Sequence, residues 1–114
     1  MLKYRIVLTP FPFDDLRASK VRPAVCLTEP IGPHKHVVVA FISSRIPPEM
    51  FETDLLIDYE RPDFAATGLK VTSTIRLHRL MTISGSAIVR ELGRIPDDMV
   101  REVRSALRRL FDLQ

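Results

Sequence analysis

Arg22 and Ser43 are the residues of this 114-residue chain best suited to act on a phosphate. A guanidinium stays protonated near neutral pH and offers a planar fork of donors that matches phosphate oxygens. Arg22 sits immediately before the apolar run Pro23 to Thr28, within a basic stretch that also holds Arg17 and Lys20. Ser43 follows the run Val37 to Ile42, at a polar strand end where its hydroxyl can donate and accept at once. Each also has a plainer role open to it. Arg22 could solvate a strand entrance or pair with Asp14 or Asp15, and Ser43 could bond its own backbone. Ser44, one residue on, would point to the opposite face of a regular strand.

The three histidines offer a second chemistry, since imidazole is matched to proton transfer near neutral pH. His34 and His36 would share a face if both were in a strand, but Pro33 precedes them and no carboxylate or cysteine lies at useful local spacing. No metal site is expected there. His78, two residues from Arg76 and on the same face of a strand, is a candidate for base stacking or proton transfer. A solvated strand histidine is its plainer reading.

These residues need rigid elements around them. Tyr4 to Thr9 and Pro23 to Thr28 read as short β-branched strands, with Pro10 and Pro12 ending the first and a flexible basic loop between them. Lys35 to Ser43 reads as a central strand covered on both sides. Thr53 to Asp58 is a weaker strand, and a long polar loop containing Pro62 and Gly68 follows. Thr72 to His78 alternates, with Thr72, Thr74, Arg76 and His78 on one face and Ser73, Ile75 and Leu77 on the other. Leu80 to Ile83 continues that strand or forms another, and a short helix is expected near Ser86 to Glu91.

From Pro96 to Phe111 the period changes. Met99, Val103, Ala106, Leu107 and Leu110 recur at spacings of three and four, which predicts an amphipathic helix with Pro96 in its first turn. Asp97 and Asp98 near its start and Arg108 and Arg109 near its end suit the helix dipole, which accounts for those arginines without a ligand. Short strands, closely spaced turns and one late helix together predict a mainly β (α+β) fold, a small curled antiparallel sheet with the helix packed on it.

The length fits a single domain over residues 1–114. A lone Cys26 inside an apolar strand cannot form an internal disulfide, which fits a cytoplasmic setting and a quiet buried thiol. The apolar run at the N-terminus is too short for a signal peptide, and no window approaches a membrane span. A net charge of +3 and a pI near 9.4 fit a phosphate-bearing partner without identifying one.

The order of strand, PFPFDDL, small-residue turn, KVRPAVCL, and a second apolar run closing in Ile42-Ser43-Ser44 resembles the MazF/PemK family of toxin endoribonucleases. TGLKVTSTIRLHRLMTI (Thr67 to Ile83) and LGRIPDDMVREVRSALRRLF (Leu92 to Phe111) are similar to that family's last strands and terminal helix. The resemblance implies a small SH3-like antiparallel barrel of the MazF/PemK/CcdB toxin type, usually a homodimer. It implies a sequence-specific, metal-independent endoribonuclease, with no cofactor, acting on single-stranded RNA and neutralised by a cognate antitoxin. By the same resemblance Arg22 is the catalytic arginine before proline and Ser43 corresponds to the catalytic threonine. Arg17, Lys20 and Arg45, with Arg76 and His78, are then the expected RNA contacts.

The chain departs from the family pattern in two places. Serine at position 43 lacks the methyl that restrains χ1. Tyr4 and Arg5 stand where glycine and an acidic residue are common, exchanging a negative charge for a positive one. Two other outcomes stay open: a non-catalytic toxin of this fold that binds a protein target such as gyrase, and an inactive divergent member.

Overall fold

A computed structural model describes residues 1–11 and 20–114. Six strands form one antiparallel sheet: β1 (Arg5–Phe11), β2 (Lys20–Cys26), β3 (Val37–Ser43), β4 (Asp54–Ile57), β5 (Ser73–Ile83) and β6 (Arg90–Arg94). Their order across the sheet is β4-β5-β3-β2-β1-β6, and the sheet curls into a half-barrel closed on one side by α1 (Asp97–Leu110). The mainly β fold with a terminal helix is therefore the one observed.

The sheet buries both faces, which explains why its central strands read as continuous apolar runs. On one face Ile6, Val25, Ala40, Ile42, Ile75 and Leu77 pack against Met99, Val103 and Ala106 of α1. On the other, Val7, Phe11, Ala24, Cys26, Val39 and Phe41 form a second cluster. Alternate residues of one strand thus serve different cores, as the period of two requires.

Several expected boundaries shift. β1 runs through Pro10 to Phe11 instead of stopping at Thr9, because its pairing with β6 ends at Leu8 and a residue without an N–H is tolerated on a strand edge. β2 begins at Lys20, so Lys20 and Arg22 lie in a strand and not in the loop. The loop between β4 and β5 contains a short 3-10 helix, Phe64–Thr67.

No helix spans Ser86 to Glu91. A single 3-10 turn, Gly85–Ala87, leads directly into β6, which pairs with β1. Its short RELGR sequence is polar because β6 lies at the sheet edge, and a sequence of that kind carries no strand period. Gly68 and Gly93 allow β6 to lie directly on the Phe64–Thr67 turn. A Cβ on Gly93 would fall 2.2 Å from the Ala66 carbonyl oxygen, and one on Gly68 would fall 2.2 Å from that of Leu92.

Pro96 is the N-cap of α1, not its first helical residue, and its carbonyl accepts from the backbone N–H groups of Met99 and Val100. Asp98 supplies local help, its Oδ1 accepting from the Met99 N–H at 3.0 Å.

β5 continues through Leu80 to Ile83, but not regularly. Its ladder with β3 jumps from Phe41↔Arg76 to Ala40↔Leu80, so Leu77 to Arg79 form an excursion opposite no residue of β3. This bulge is what shapes the site.

Candidate functional site

The β2–β3 ladder is recorded up to Ala24↔Phe41, and two residues further on lie Arg22 and Ser43, on the same face as their predecessors. Phe41 pairs with Arg76 across β3 and β5, which adds Arg76 to that face. Beside it, the bulge turns Arg79 inward. These strands enclose a cleft of about 60 Å3 lined by Arg22, Ser43, Arg76 and Arg79 over a floor of Phe11, Phe41 and Ile42.

Among the described residues the lining holds three arginines and no carboxylate. Phe11 and Phe41 pack ring against ring, and the Arg22 guanidinium carbon lies 5.8 Å from the centre of the Phe11 ring. Phe11 is therefore core and wall of the cleft at once. Ser43 Oγ accepts a hydrogen bond from the Arg45 backbone N–H at 3.2 Å. Its backbone bond, the plainer reading, is present, and it occupies an oxygen lone pair while the hydroxyl proton can still be donated.

Arg76 is held by Asp54, whose Oδ1 accepts from Arg76 Nε at 2.7 Å. Sequence reasoning missed Asp54, since a polar residue opening a weak strand looks like a solvated end. It also missed Arg79, which strict alternation would put on the face away from Arg76. His78 stands outside the cleft lining, with Nδ1 3.9 Å from Asp54 Oδ1 and its ring edge-on to Phe51.

Lys20 is exposed on the same face of β2 as Arg22, two residues toward the strand end. Arg45 is exposed just past β3, with its backbone fixed by Ser43 and by Thr74, whose Oγ1 donates to the Arg45 carbonyl. Arg17, with Phe13, Asp14 and Asp15, lies outside the described residues.

Ser44 lines a different hollow, of about 430 Å3, with Leu8, Pro23, Leu69, Val71 and Leu92. The two serines thus open on opposite faces of the sheet, as the strand period requires. The larger hollow is mainly apolar and offers no acid or base besides Lys70 and Arg90. His34 lies in the turn before β3 and His36 in an isolated bridge with Ile31, so the two do not share a strand; their ring centres are 5.8 Å apart. Among the described residues no cluster of three or more His, Cys, Asp or Glu is arranged to hold a metal ion.

Arg5 pairs with Glu91 at 3.1 Å and lies at the end of β1 away from Phe11. It is four residues along the strand from Thr9, the pairing partner of Arg22, or about 13 Å. The charge exchange at Arg5 therefore falls well outside the cleft.

Residues 3–111 match the family described as the PemK-like, MazF-like toxin of type II toxin-antitoxin systems. The chain belongs to this family. The match spans every strand and the helix, including both sides of the cleft. Among solved structures the PemK/MazF chain is similar to the Mycobacterium tuberculosis toxin MazF-mt6, with a TM-score of 0.74 and 23% identity over 96% of this chain and 98% of that one. It is also similar to an endoribonuclease in complex with its cognate antitoxin from Mycobacterial species, with a TM-score of 0.72 and 11% identity over 100% and 97%. At these identities the likeness is one of fold. No curated protein matches the chain. Among the described residues no helix is long and apolar enough to cross a membrane.

Proposed function

We propose that this PemK/MazF-family chain is an endoribonuclease that cuts single-stranded RNA by attack of a ribose 2′-hydroxyl on the adjacent phosphate. The observation that carries the reading is the convergence of Arg22, Ser43, Arg76 and Arg79 on one small cleft. In the reaction the 2′-oxygen forms a bond to phosphorus and the bond to the 5′-oxygen breaks. The 2′-hydroxyl proton is lost and the leaving oxygen gains one, giving a 2′,3′-cyclic phosphate and a 5′-hydroxyl.

The transition state carries extra negative charge on the phosphate oxygens, and arginines are suited to that charge. Arg22, backed by Phe11, is the principal cation. Arg76 and Arg79 approach from β5, opposite it across β3. The Ser43 hydroxyl donates to a phosphate oxygen while Arg45 N–H holds its own oxygen. With the charge met by arginines, the reaction on this reading needs no metal.

Lys20, Arg17 and Arg45 hold the strand through phosphates on either side of the cut, and His78 lies next to Arg76 where a neighbouring base could stack. The chain acts as a homodimer and is neutralised by a cognate antitoxin whose acidic segment meets the basic surface. Base-specific cleavage follows from contacts around the cleft.

The test is incubation of wild-type and Arg22→Ala protein with a long single-stranded RNA in excess chelator, with mapping of fragment ends. Discrete cuts by wild type alone, with cyclic phosphate and 5′-hydroxyl ends, are expected. No cleavage by folded wild-type protein would overturn the reading in favour of a toxin that binds a protein target, whose toxicity would survive Arg22→Ala.

A further inference from the structure

Asp54, the first residue of β4, has a side chain with no solvent exposure. A buried carboxylate is costly unless cations and donors surround it. Here one oxygen accepts from Arg76 Nε at 2.7 Å, and the other accepts from the Phe51 backbone N–H at 2.8 Å. The Asp54 backbone N–H donates back to the Phe51 carbonyl at 3.0 Å, so the turn closes on itself in both directions. That closure brings the Phe51 ring to 5.2 Å from the Arg76 guanidinium carbon. The guanidinium is thus gripped at its inner nitrogen by Asp54 and on its face by Phe51.

Since the Asp54 bond uses Nε, the two terminal nitrogens of Arg76 are the donors left for the cleft that the residue lines. We infer that Asp54 is a positioning residue that presets Arg76 as a phosphate ligand before RNA arrives. It acts through Arg76 and touches no substrate itself. The inference rests on the nuclease reading above. Its physical basis is that a donor already aimed loses less freedom on binding than one that must be ordered. His78 Nδ1 lies 3.9 Å from the same carboxylate oxygen, beyond hydrogen-bond distance.

The test is binding of a mixed-sequence, 2′-O-methylated single-stranded RNA, which cannot cut itself, by the full chain. Wild type, Asp54→Asn, Arg76→Lys and the double variant are compared, with thermal melts to verify folding. Asp54→Asn is expected to weaken binding about tenfold in the wild-type background. In the Arg76→Lys background, where the Nε bond no longer exists, it should cost less than about twofold. Equal losses in both backgrounds would mean a general structural role and overturn the inference. So would unchanged binding by Asp54→Asn while wild type still cuts RNA, an outcome that leaves the nuclease reading intact. Wild-type protein that neither binds nor cuts would remove both. Should Asp54→Asn fail to fold, Phe51→Leu keeps the carboxylate and carries the same comparison across the two backgrounds.

Discussion

The Arg22 guanidinium lies over the Phe11 ring, its carbon 5.8 Å from the ring centre, as a diagonal neighbour across the β1–β2 pair. Phe11 is buried, so the arginine is supported by a wall that cannot easily move. A cation held on a ring face gains roughly 0.5 to 2 kcal/mol. Phe11→Leu keeps an apolar plug but removes the ring, and it is expected to slow RNA cleavage about three- to tenfold. A folded Phe11→Leu protein with the wild-type rate would show that the ring only packs.

Ser43 is expected to contribute its hydroxyl and not its size. Ser43→Ala should lower the cleavage rate by about a hundredfold or more, in the range seen when a preorganised donor is removed from a transition state. Ser43→Thr restores a β-branched side chain with a stiffer χ1 and should keep or raise the rate. Single-turnover cleavage at saturating enzyme separates the two, and a Ser43→Ala rate equal to wild type would assign the hydroxyl to the Arg45 N–H alone.

Arg61 bonds Asp98 through one terminal nitrogen, at 2.8 and 2.9 Å, tying the loop before the Phe64–Thr67 turn to the start of α1. The Arg61 bond is the main cause holding the Asp98 carboxyl below its ordinary value of 3.8. A carboxyl depressed in the folded state contributes stability above its unfolded value and loses that contribution as pH falls through the folded one. Arg61→Gln should therefore melt lower than wild type at pH 6, with the gap narrowing as pH falls below the ordinary carboxylate value of 3.8. Because Asp98 is exposed, the effect is small and screened by salt. A constant gap in melting temperature between pH 6 and pH 2.5 would exclude the linkage.

Cys26 is buried, and its thiol is pushed up to about 12, first by burial and then by Glu91 and Glu29. Since the thiolate is the reactive form, native protein at pH 8 should resist iodoacetamide over hours and label fully once denatured. Rapid stoichiometric labelling of folded protein, read by mass spectrometry, would contradict this assignment.

Gly93 has no Cβ because the backbone of the Phe64–Thr67 turn occupies the space. Gly93→Ala is expected to destabilise the chain by more than about 2 kcal/mol, shifting the melting midpoint down by roughly 8 °C or more. A midpoint within a degree or two of wild type would mean that β6 and this turn separate without cost.

The sequence by itself determined five of the six strands, the terminal helix and the residues Arg22, Ser43 and Arg76 that line the cleft. The β-branched runs, the change of period at Pro96 and the position of Ser43 at a strand end follow from residue types and spacing, because those patterns act over a few residues, whereas Arg22 lies inside β2 and not at its entrance. Lys20, Arg45 and His78 were legible as polar residues near that cleft, but not their distances from it. The tertiary structure alone decided the rest. β6 escaped notice because an edge strand of polar residues has no hydrophobic period, and its place is set by pairing with β1 across some 80 residues of chain. Arg79 enters the cleft only because β5 bulges opposite β3, and Asp54 acquires a partner only because β4 lies beside β5. A bulge and a cross-strand ion pair are properties of register between distant segments, and register is fixed by packing that no local window contains.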